Sequence, residues 1–176
     1  MLRPSHISLI LILCFIIGCN SSKNDSAAVY QAFFKDVDSG VKTLYIQDKP
    51  VLPFSAIYHL SEKEKEFIND FKFTSLEAIH TSDSFGELNV HLIDNNKNEE
   101  MFSASCEEGW AKYYEQYPQA KSMIKISNVG FRNWGKEALF FIEVAAGCLA
   151  GSGSLVYLKI DDDKWELKEL INLWTS

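Results

Sequence analysis

The chain has 176 residues, of which 47% are hydrophobic and 23% are charged, with 24 Asp and Glu against 17 Lys and Arg. This length indicates one domain with a short appendage, and the composition excludes a wholly disordered chain. The net charge of −7 argues against a nucleic-acid-binding protein, because that function needs a basic surface.

The first 18 residues have the pattern of a secretory signal peptide. Arg3 is the only charged side chain there, and it precedes an apolar run from Ile7 to Ile17 that only Ser8 interrupts. A helix of this length rises about 16 Å, roughly half the hydrocarbon thickness of a bilayer, so the run is too short to span a membrane. The alternative, a buried N-terminal helix, is disfavoured because the segment has no polar stripe to face water.

The end of this leader, Ile16-Ile17-Gly18-Cys19, resembles the lipobox of bacterial lipoproteins. The resemblance implies that a signal peptidase cuts before Cys19, that the Cys19 thiol carries a diacylglyceryl group, and that its amine is often acylated as well, as with palmitate. Each buried methylene contributes about 0.8 kcal/mol, so two or three acyl chains form a durable anchor. The alternative is a conventional signal cut nearby, with Cys19 as an ordinary thiol.

We therefore expect a signal peptide over residues 1–18, a lipidated tether over 19–28 and a single globular domain over 29–176. Residues 20–28 (NSSKNDSAA) are small and polar, as a tether requires. The anchor implies a bilayer of the bacterial cell envelope as a partner. By resemblance to enterobacterial sorting, Asn20 after the lipidated cysteine favours the outer membrane.

The first half of the predicted domain mixes helices and strands. Helical spacing is seen from Val29 to Val37, and Ser61 to Glu64 form a capping-box pattern ahead of a second helix. Runs that favour strands are Thr43 to Gln47 and Glu87 to Ile93, and Asp94 to Glu100 read as a polar loop.

The second half has clearer signals. One apolar stripe with steps of three and four residues predicts a helix that Pro118 ends: Phe102, Cys106, Trp110, Tyr113 and Tyr117. Four strand-like runs with short, turn-prone joins follow: Met123 to Phe131, Ala138 to Ala145, Leu155 to Ile160, and Trp165 to Trp174.

Consecutive strands with short joins predict an antiparallel meander. We therefore expect an α+β domain in which a curved antiparallel sheet of four or more strands is packed by the helices that precede it. Ala138 to Val144 is nearly all apolar, which favours a central strand. This architecture resembles cystatin-like or nuclear-transport-factor-like cones.

A second resemblance covers about 65 residues of the C-terminal half. Its residues are Trp110, Tyr113-Tyr114, Tyr117-Pro118, Ile126 to Phe131, Ala138-Leu139, Cys148, Gly151, Gly153, Trp165 and Trp174 to Ser176. The pattern is similar to uncharacterised bacterial lipoproteins, many of them from Bacteroidota, and it implies no catalytic residues.

The cysteines predict at most one disulfide. Cys14 leaves with the signal and Cys19 is consumed by lipid, so Cys106 and Cys148 remain in a compartment where disulfides persist. We expect them to pair, because Cys106 lies on a predicted helix that must pass near the Cys148 loop. The alternative is two separate buried thiols. The cysteine spacings fit neither a zinc site nor a redox Cys-x-x-Cys pair.

The histidines and the glycine-rich segment do not identify a reaction. His59, His80 and His91 lack the spacing of a metal site, so we interpret them as structural, although His91 can lie beside His80 if their segments pair. Residues 147–154 (GCLAGSGS) match neither a P-loop nor a nucleophile elbow, which favours a flexible or bulged hairpin loop, with the join at Gly147 to Gly153. Small residues still let a ligand approach the backbone, so this loop is a binding candidate.

Acidic and aromatic residues give three further expectations. Asp161 to Asp163 favour a turn between strands, because they lack the glycine and distal glutamate of a calcium loop. Glu143 is the one acid expected to be half-buried, either paired with Arg132 or Lys136 or on an exposed face. Four tryptophans occupy the last 67 residues, and Trp134, in a turn, is the one expected to be exposed.

We expect a lipid-anchored, non-catalytic envelope domain that needs no cofactor or metal and binds a protein or a small ligand. One alternative is an envelope hydrolase that uses His91, Glu143 and Ser152. Another is an immunity or inhibitor lipoprotein, because acidic proteins can neutralise basic toxins by electrostatic steering.

Overall fold

A computed structural model describes residues 25–37, 43–51, 60–73 and 80–176. The α-helices in these ranges are α1 (Ser26–Val37), α2 (Glu62–Asn69), α3 (Asn95–Met101) and α4 (Cys106–Gln116). The strands are β1 (Leu44–Gln47), β2 (Lys72–Phe73), β3 (Val90–Ile93), β4 (Met123–Ile126), β5 (Gly130–Arg132), β6 (Glu137–Gly147), β7 (Ala150–Asp161) and β8 (Lys164–Thr175). These elements confirm the α+β class.

The predicted signal peptide, Cys19 and His59 lie outside the described residues. Helix α1 begins at Ser26, so the last three residues of the predicted tether are helical. None of the described helices is both long and apolar enough to cross a membrane.

All eight strands belong to one curled sheet, which is mixed. Strand β6 is central: β4 and β5 pair with successive parts of one edge, β7 pairs with the other edge, and β8 follows β7, all antiparallel. Strand β1, however, is parallel to both β4 and β3. The prediction of a purely antiparallel sheet is therefore wrong at the pairs of β1 with β3 and β4, whereas β2 is antiparallel to its neighbour β5. Parallel neighbours are joined by long crossovers, so no short join marks them in the sequence.

The strand predicted from Met123 to Phe131 is interrupted between β4 and β5. The amide of Ser127 donates to the Phe141 carbonyl, and the Ser127 hydroxyl accepts from the Phe141 amide at 2.8 Å. The hydroxyl thus takes the place of a backbone partner, and β5 continues along β6 after the break.

Helices α3 and α4 correct two expectations. The segment predicted as a polar loop is mostly α3, which Asp94 caps by accepting from the Lys97 amide at 2.9 Å. The helix predicted to begin near Phe102 begins at Cys106, where Ser105 accepts from the Glu108 amide. Its end before Pro118 and the capping box of Ser61 and Glu64 on α2 are confirmed.

Helices cover both faces of the sheet. On one face, α1 packs its aromatic residues against alternate apolar residues of β6 and β7, such as Phe140 and Val156. On the other face, Ile68 of α2 packs against Phe141 and Leu155, while α4 covers the end of the sheet formed by β1, β3 and β4. The sheet is thus the middle layer, and its edges and turns carry the exposed side chains.

Candidate functional site

The turn between β5 and β6 presents Trp134, which is 87% exposed, as the sequence predicted. Asn133, Trp134 and Gly135 have φ angles of 51°, 59° and 76°. Glycine adopts this left-handed conformation freely and asparagine tolerates it, but for an ordinary L-residue it costs about 1–2 kcal/mol. The turn therefore holds Trp134 in an unfavourable backbone conformation while its indole faces solvent.

Three residues, Arg132, Asn133 and Glu137, fix this turn, and we call them the Glu137 clamp. The Glu137 carboxylate accepts from Arg132 Nε at 2.6 Å and from Asn133 Nδ2 at 3.2 Å. Glu137 is 8% exposed, so these charge-assisted hydrogen bonds are little weakened by water. Burial alone would raise the pKa of Glu137, but hydrogen bonds from Arg132, Tyr157 and Asn133 outweigh it and lower that pKa.

Aromatic rings hold Arg132 from the other side. Its guanidinium carbon lies 4.3 Å from the centroid of the Phe67 ring, 4.4 Å from that of Phe71 and 5.7 Å from that of Tyr157. Each such cation–π contact stabilises by about 0.5–2 kcal/mol. Arg132 Nη1 also lies 3.6 Å from Asp70 Oδ2. Residues of α2, β5, β6 and β7 therefore meet beneath the Trp134 turn and make its base rigid.

The turn between β7 and β8 lies next to the Trp134 turn, because the Ile160 amide donates to the Lys136 carbonyl at 2.9 Å. Asp162 and Asp163 form its exposed tip with φ of 45° and 62°, which confirms the predicted turn. Asp161 pairs with Lys168 at 3.1 Å. Exposed side chains of both charges thus lie beside the Trp134 turn: Asp162 and Asp163, with Lys136 and Lys164.

A second feature is an open cleft of about 480 Å³ beside the outer strand β3, here called the β3 cleft. Its floor includes Tyr45, His91 and Tyr117, whose ring centroids lie 5.2–5.7 Å apart. The start of α3 and the end of α4 form its walls. The complete lining is Tyr45, His91, Leu92, Asp94, Lys97, Gln116, Tyr117, Pro118 and Gln119.

His80 lies in another depression, of about 440 Å³, at the start of α1. It is 3% exposed, with Nε2 3.1 Å from the Ile126 carbonyl. Burial lowers the pKa of His80 more than that carbonyl and nearby Asp48 raise it, so His80 favours the neutral form. Strand β3 pairs with β1, so the conditional pairing of the His91 and His80 segments is not formed. Among the described residues, no three His, Cys, Asp or Glu side chains group as a metal site would require.

The three residues of the hydrolase alternative do not share a site. Ser152 pairs with Val144 and Glu143 with Gly153, so the Ser152 and Glu143 side chains lie on opposite faces of the sheet. His91 on β3 is three strand spacings, about 14 Å, from Glu143 on β6. Glu143 is half-buried as expected, but its partner is Lys125 at 3.3 Å and not Arg132 or Lys136.

The glycine-rich segment turns the chain from β6 to β7 as a hairpin with a register shift between Ala145 and Gly147, as predicted, but it is strand over most of its length, so the loop is shorter than Gly147 to Gly153. Strand β7 begins at Ala150, and only Cys148 and Leu149 separate it from β6. A Cβ atom on Gly153 would overlap the indole of Trp174. Glycine in a strand often marks such a close approach, and here it admits an aromatic side chain rather than a ligand.

The Cys106–Cys148 disulfide is present and joins the start of α4 to the turn between β6 and β7, with the two Cα atoms 5.8 Å apart. The sequence separation of 42 residues corresponds to about 4 kcal/mol of lost chain entropy in the unfolded state. This confirms the predicted pairing.

Sequence reasoning did not find the Glu137 clamp or the β3 cleft. The signal for the clamp was the short join between β5 and β6, which makes Arg132 and Glu137 cross-strand partners. The β3 cleft combines residues from three distant segments, and no local pattern indicates it.

No protein-family model matches this sequence, and it matches no curated protein and no solved structure.

Proposed function

We propose that this chain is a non-catalytic domain of the bacterial cell envelope, held at a bilayer by acyl chains on Cys19, that binds a partner protein through the Trp134 turn. The observation that carries the binding proposal is the fixed exposure of Trp134. Tryptophan is enriched among the residues that dominate interface energies.

The rigid base of the turn supports this role. Ordering a segment on binding costs free energy, and a turn whose backbone is already fixed avoids part of that cost. The Glu137 clamp fixes the backbone on both sides of Trp134, so the indole is presented before any partner arrives. A partner with an apolar pocket for one indole fits this geometry.

The charge of the chain favours a basic partner. The net charge of the whole chain is −7, with 24 Asp and Glu against 17 Lys and Arg. Opposite charge on a partner would speed association by steering and would make binding sensitive to salt. An immunity or inhibitor role against a basic protein is one form of this proposal.

The lipid anchor is tested with Cys19→Ser. The wild-type chain should partition with envelope membranes and carry acyl mass on its N-terminal peptide, whereas Cys19→Ser should be released in soluble form without that mass. A variant that remains equally membrane-bound would overturn the anchor.

Binding is tested by replacing Trp134 with the photo-crosslinking residue benzoylphenylalanine in cells that make the full chain. Leu149 is the matched control, because it is 85% exposed at the turn between β6 and β7. We expect a discrete cross-linked product from position 134 and none from position 149. With the isolated partner, Trp134→Ala should weaken affinity by about 30-fold, the effect of losing a dominant interface residue. Equal cross-linking from both positions, or unchanged affinity of Trp134→Ala, would overturn the proposal.

A further inference from the structure

The β3 cleft has the chemistry of a ligand site, and it is separate from the Trp134 turn. Its volume of about 480 Å³ lies within the 300–1,000 Å³ of typical small-molecule sites. Aromatic side chains form the floor and polar side chains form the rim, so a ligand entering it would meet both kinds of surface.

The aromatic floor is fixed by contacts among its own rings. Tyr117 lies 5.7 Å from Tyr45 and 5.2 Å from His91, and it packs against the buried Tyr113 at 5.2 Å, all measured between ring centroids. Aromatic faces carry partial negative charge and attract the weakly positive hydrogens of C–H groups. This floor therefore suits a ligand with an apolar, C–H-lined face.

The polar rim is partly held in position as well. The Asp94 carboxylate caps α3 through the Lys97 amide at 2.9 Å, and Gln116 Nε2 donates to the Tyr117 hydroxyl at 3.1 Å. Gln119 adds a second amide at the end of α4. The negative charge of Asp94 is offset by the positive charge of Lys97, which suits a neutral ligand. The rim also offers both hydrogen-bond donors and acceptors, which suits a ligand with several hydroxyl groups.

We propose that the β3 cleft binds a neutral saccharide of one or two sugar units. A pyranose ring has a face of C–H groups for the floor of Tyr45, His91 and Tyr117, and hydroxyl groups at its edge for Asp94 and Gln119. This site is independent of the partner protein proposed for Trp134.

The test is ligand-detected NMR on the full chain, purified in a detergent without a sugar head group, with maltose and N,N′-diacetylchitobiose as probes. We expect at least one of them to bind with a dissociation constant near 1 mM, a typical affinity for a small, weakly held ligand. His91→Ala should weaken that binding by about tenfold. His91 is exposed, so this substitution leaves the core intact.

Leu149→Ala is the matched control, because it removes an exposed apolar side chain elsewhere on the domain, at the turn between β6 and β7. It should leave saccharide affinity unchanged. The inference is overturned if neither saccharide binds at about 20 mM, or if His91→Ala has no effect. Binding of the dipeptide Ala-Ala in place of the saccharides would also overturn it, and none of these outcomes bears on partner binding at Trp134.

Discussion

Glu137→Ala removes the carboxylate that fixes the Trp134 turn. Arg132 Nε and Asn133 Nδ2 both lose their acceptor. Removing one partner of a buried ion pair costs about 3–5 kcal/mol. Here Arg132 keeps its contact with Asp70 at 3.6 Å and its place over the Phe67 ring, and 22% of its side chain is exposed. These contacts reduce the loss, so we expect the free energy of unfolding to fall by about 2–3 kcal/mol.

Glu143→Ala is the matched control for this prediction. Glu143 lies on the same strand and also forms an ion pair, with Lys125 at 3.3 Å. The two side chains are 22% and 34% exposed, and ion pairs open to solvent contribute about 0–1 kcal/mol. Both substitutions change a glutamate in β6 to alanine, so the difference between them isolates the Glu137 clamp.

The measurement is equilibrium unfolding of the full chain followed by circular dichroism. For a domain of this size, 1 kcal/mol shifts the melting temperature by about 2–4 °C. Glu137→Ala should therefore lower it by about 4–12 °C, and Glu143→Ala by at most about 4 °C. Equal losses in the two variants would refute the argument. Combining Glu137→Ala with Arg132→Ala should show a coupling energy of at least about 1 kcal/mol.

Three further predictions test other parts of the structure. Trp134→Gly should leave the free energy of unfolding unchanged or raise it by about 1 kcal/mol, because glycine relieves the left-handed backbone; a loss above about 1 kcal/mol in a urea titration would mean that the indole is packed. Burial lowers the pKa of His80 from 6.5, so as the pH falls its imidazole is protonated in the unfolded chain before it is protonated in the folded one. The free energy of unfolding should therefore fall as the pH drops below 6.5. In melting curves between pH 5 and 7, His80→Gln should remove this dependence of stability on pH. His91→Gln, at an exposed position, should retain it. Gly153→Ala should cost about 1–3 kcal/mol by displacing an indole, whereas Gly147→Ala, which meets only an ordinary contact at 3.8 Å, should be nearly neutral in the same titration.

The antiparallel part of the fold was predictable because its signals are local. Strand β6 is a long apolar run, β8 mostly alternates apolar and polar residues, and each join from β6 to β8 is short, so sequence order equals spatial order. Strand β1 has four residues, and its neighbours β3 and β4 follow much later in the chain. Its parallel pairing depends on tertiary packing, and no local pattern specifies it.

Helix α3 was missed because most of its side chains are polar. Among its residues only Asn98 and Met101 are buried, so it has no periodic apolar face. A signal for the next helix was present: Ser105 followed by Glu108 is a capping-box spacing, and it marks the observed start of α4 more closely than the apolar stripe from Phe102 does.

The candidate site was predictable only where its signals are local. The exposure of Trp134 follows from its position in a short turn, which is local. The environment of Glu137 depends on α2 and the residues just after it, because Phe67 and Phe71 hold Arg132 over the clamp. Contacts between segments so far apart in the chain cannot be inferred from periodicity.

The proposed lipid anchor and the proposed binding role of the Trp134 turn together lead to a last prediction. A single indole contact gives weak affinity in solution, but tethering a domain to the surface where its partner lies raises the effective concentration and compensates for that weakness. In the proposed mature chain, six residues separate Cys19 from Ser26, a reach of about 20 Å when extended, so the domain stays close to the bilayer. Cys19→Ser should therefore reduce cross-linking from position 134 in cells by about 100-fold, while the affinity for the isolated partner stays unchanged. Undiminished cross-linking by the Cys19→Ser chain would show that membrane tethering contributes nothing to partner binding.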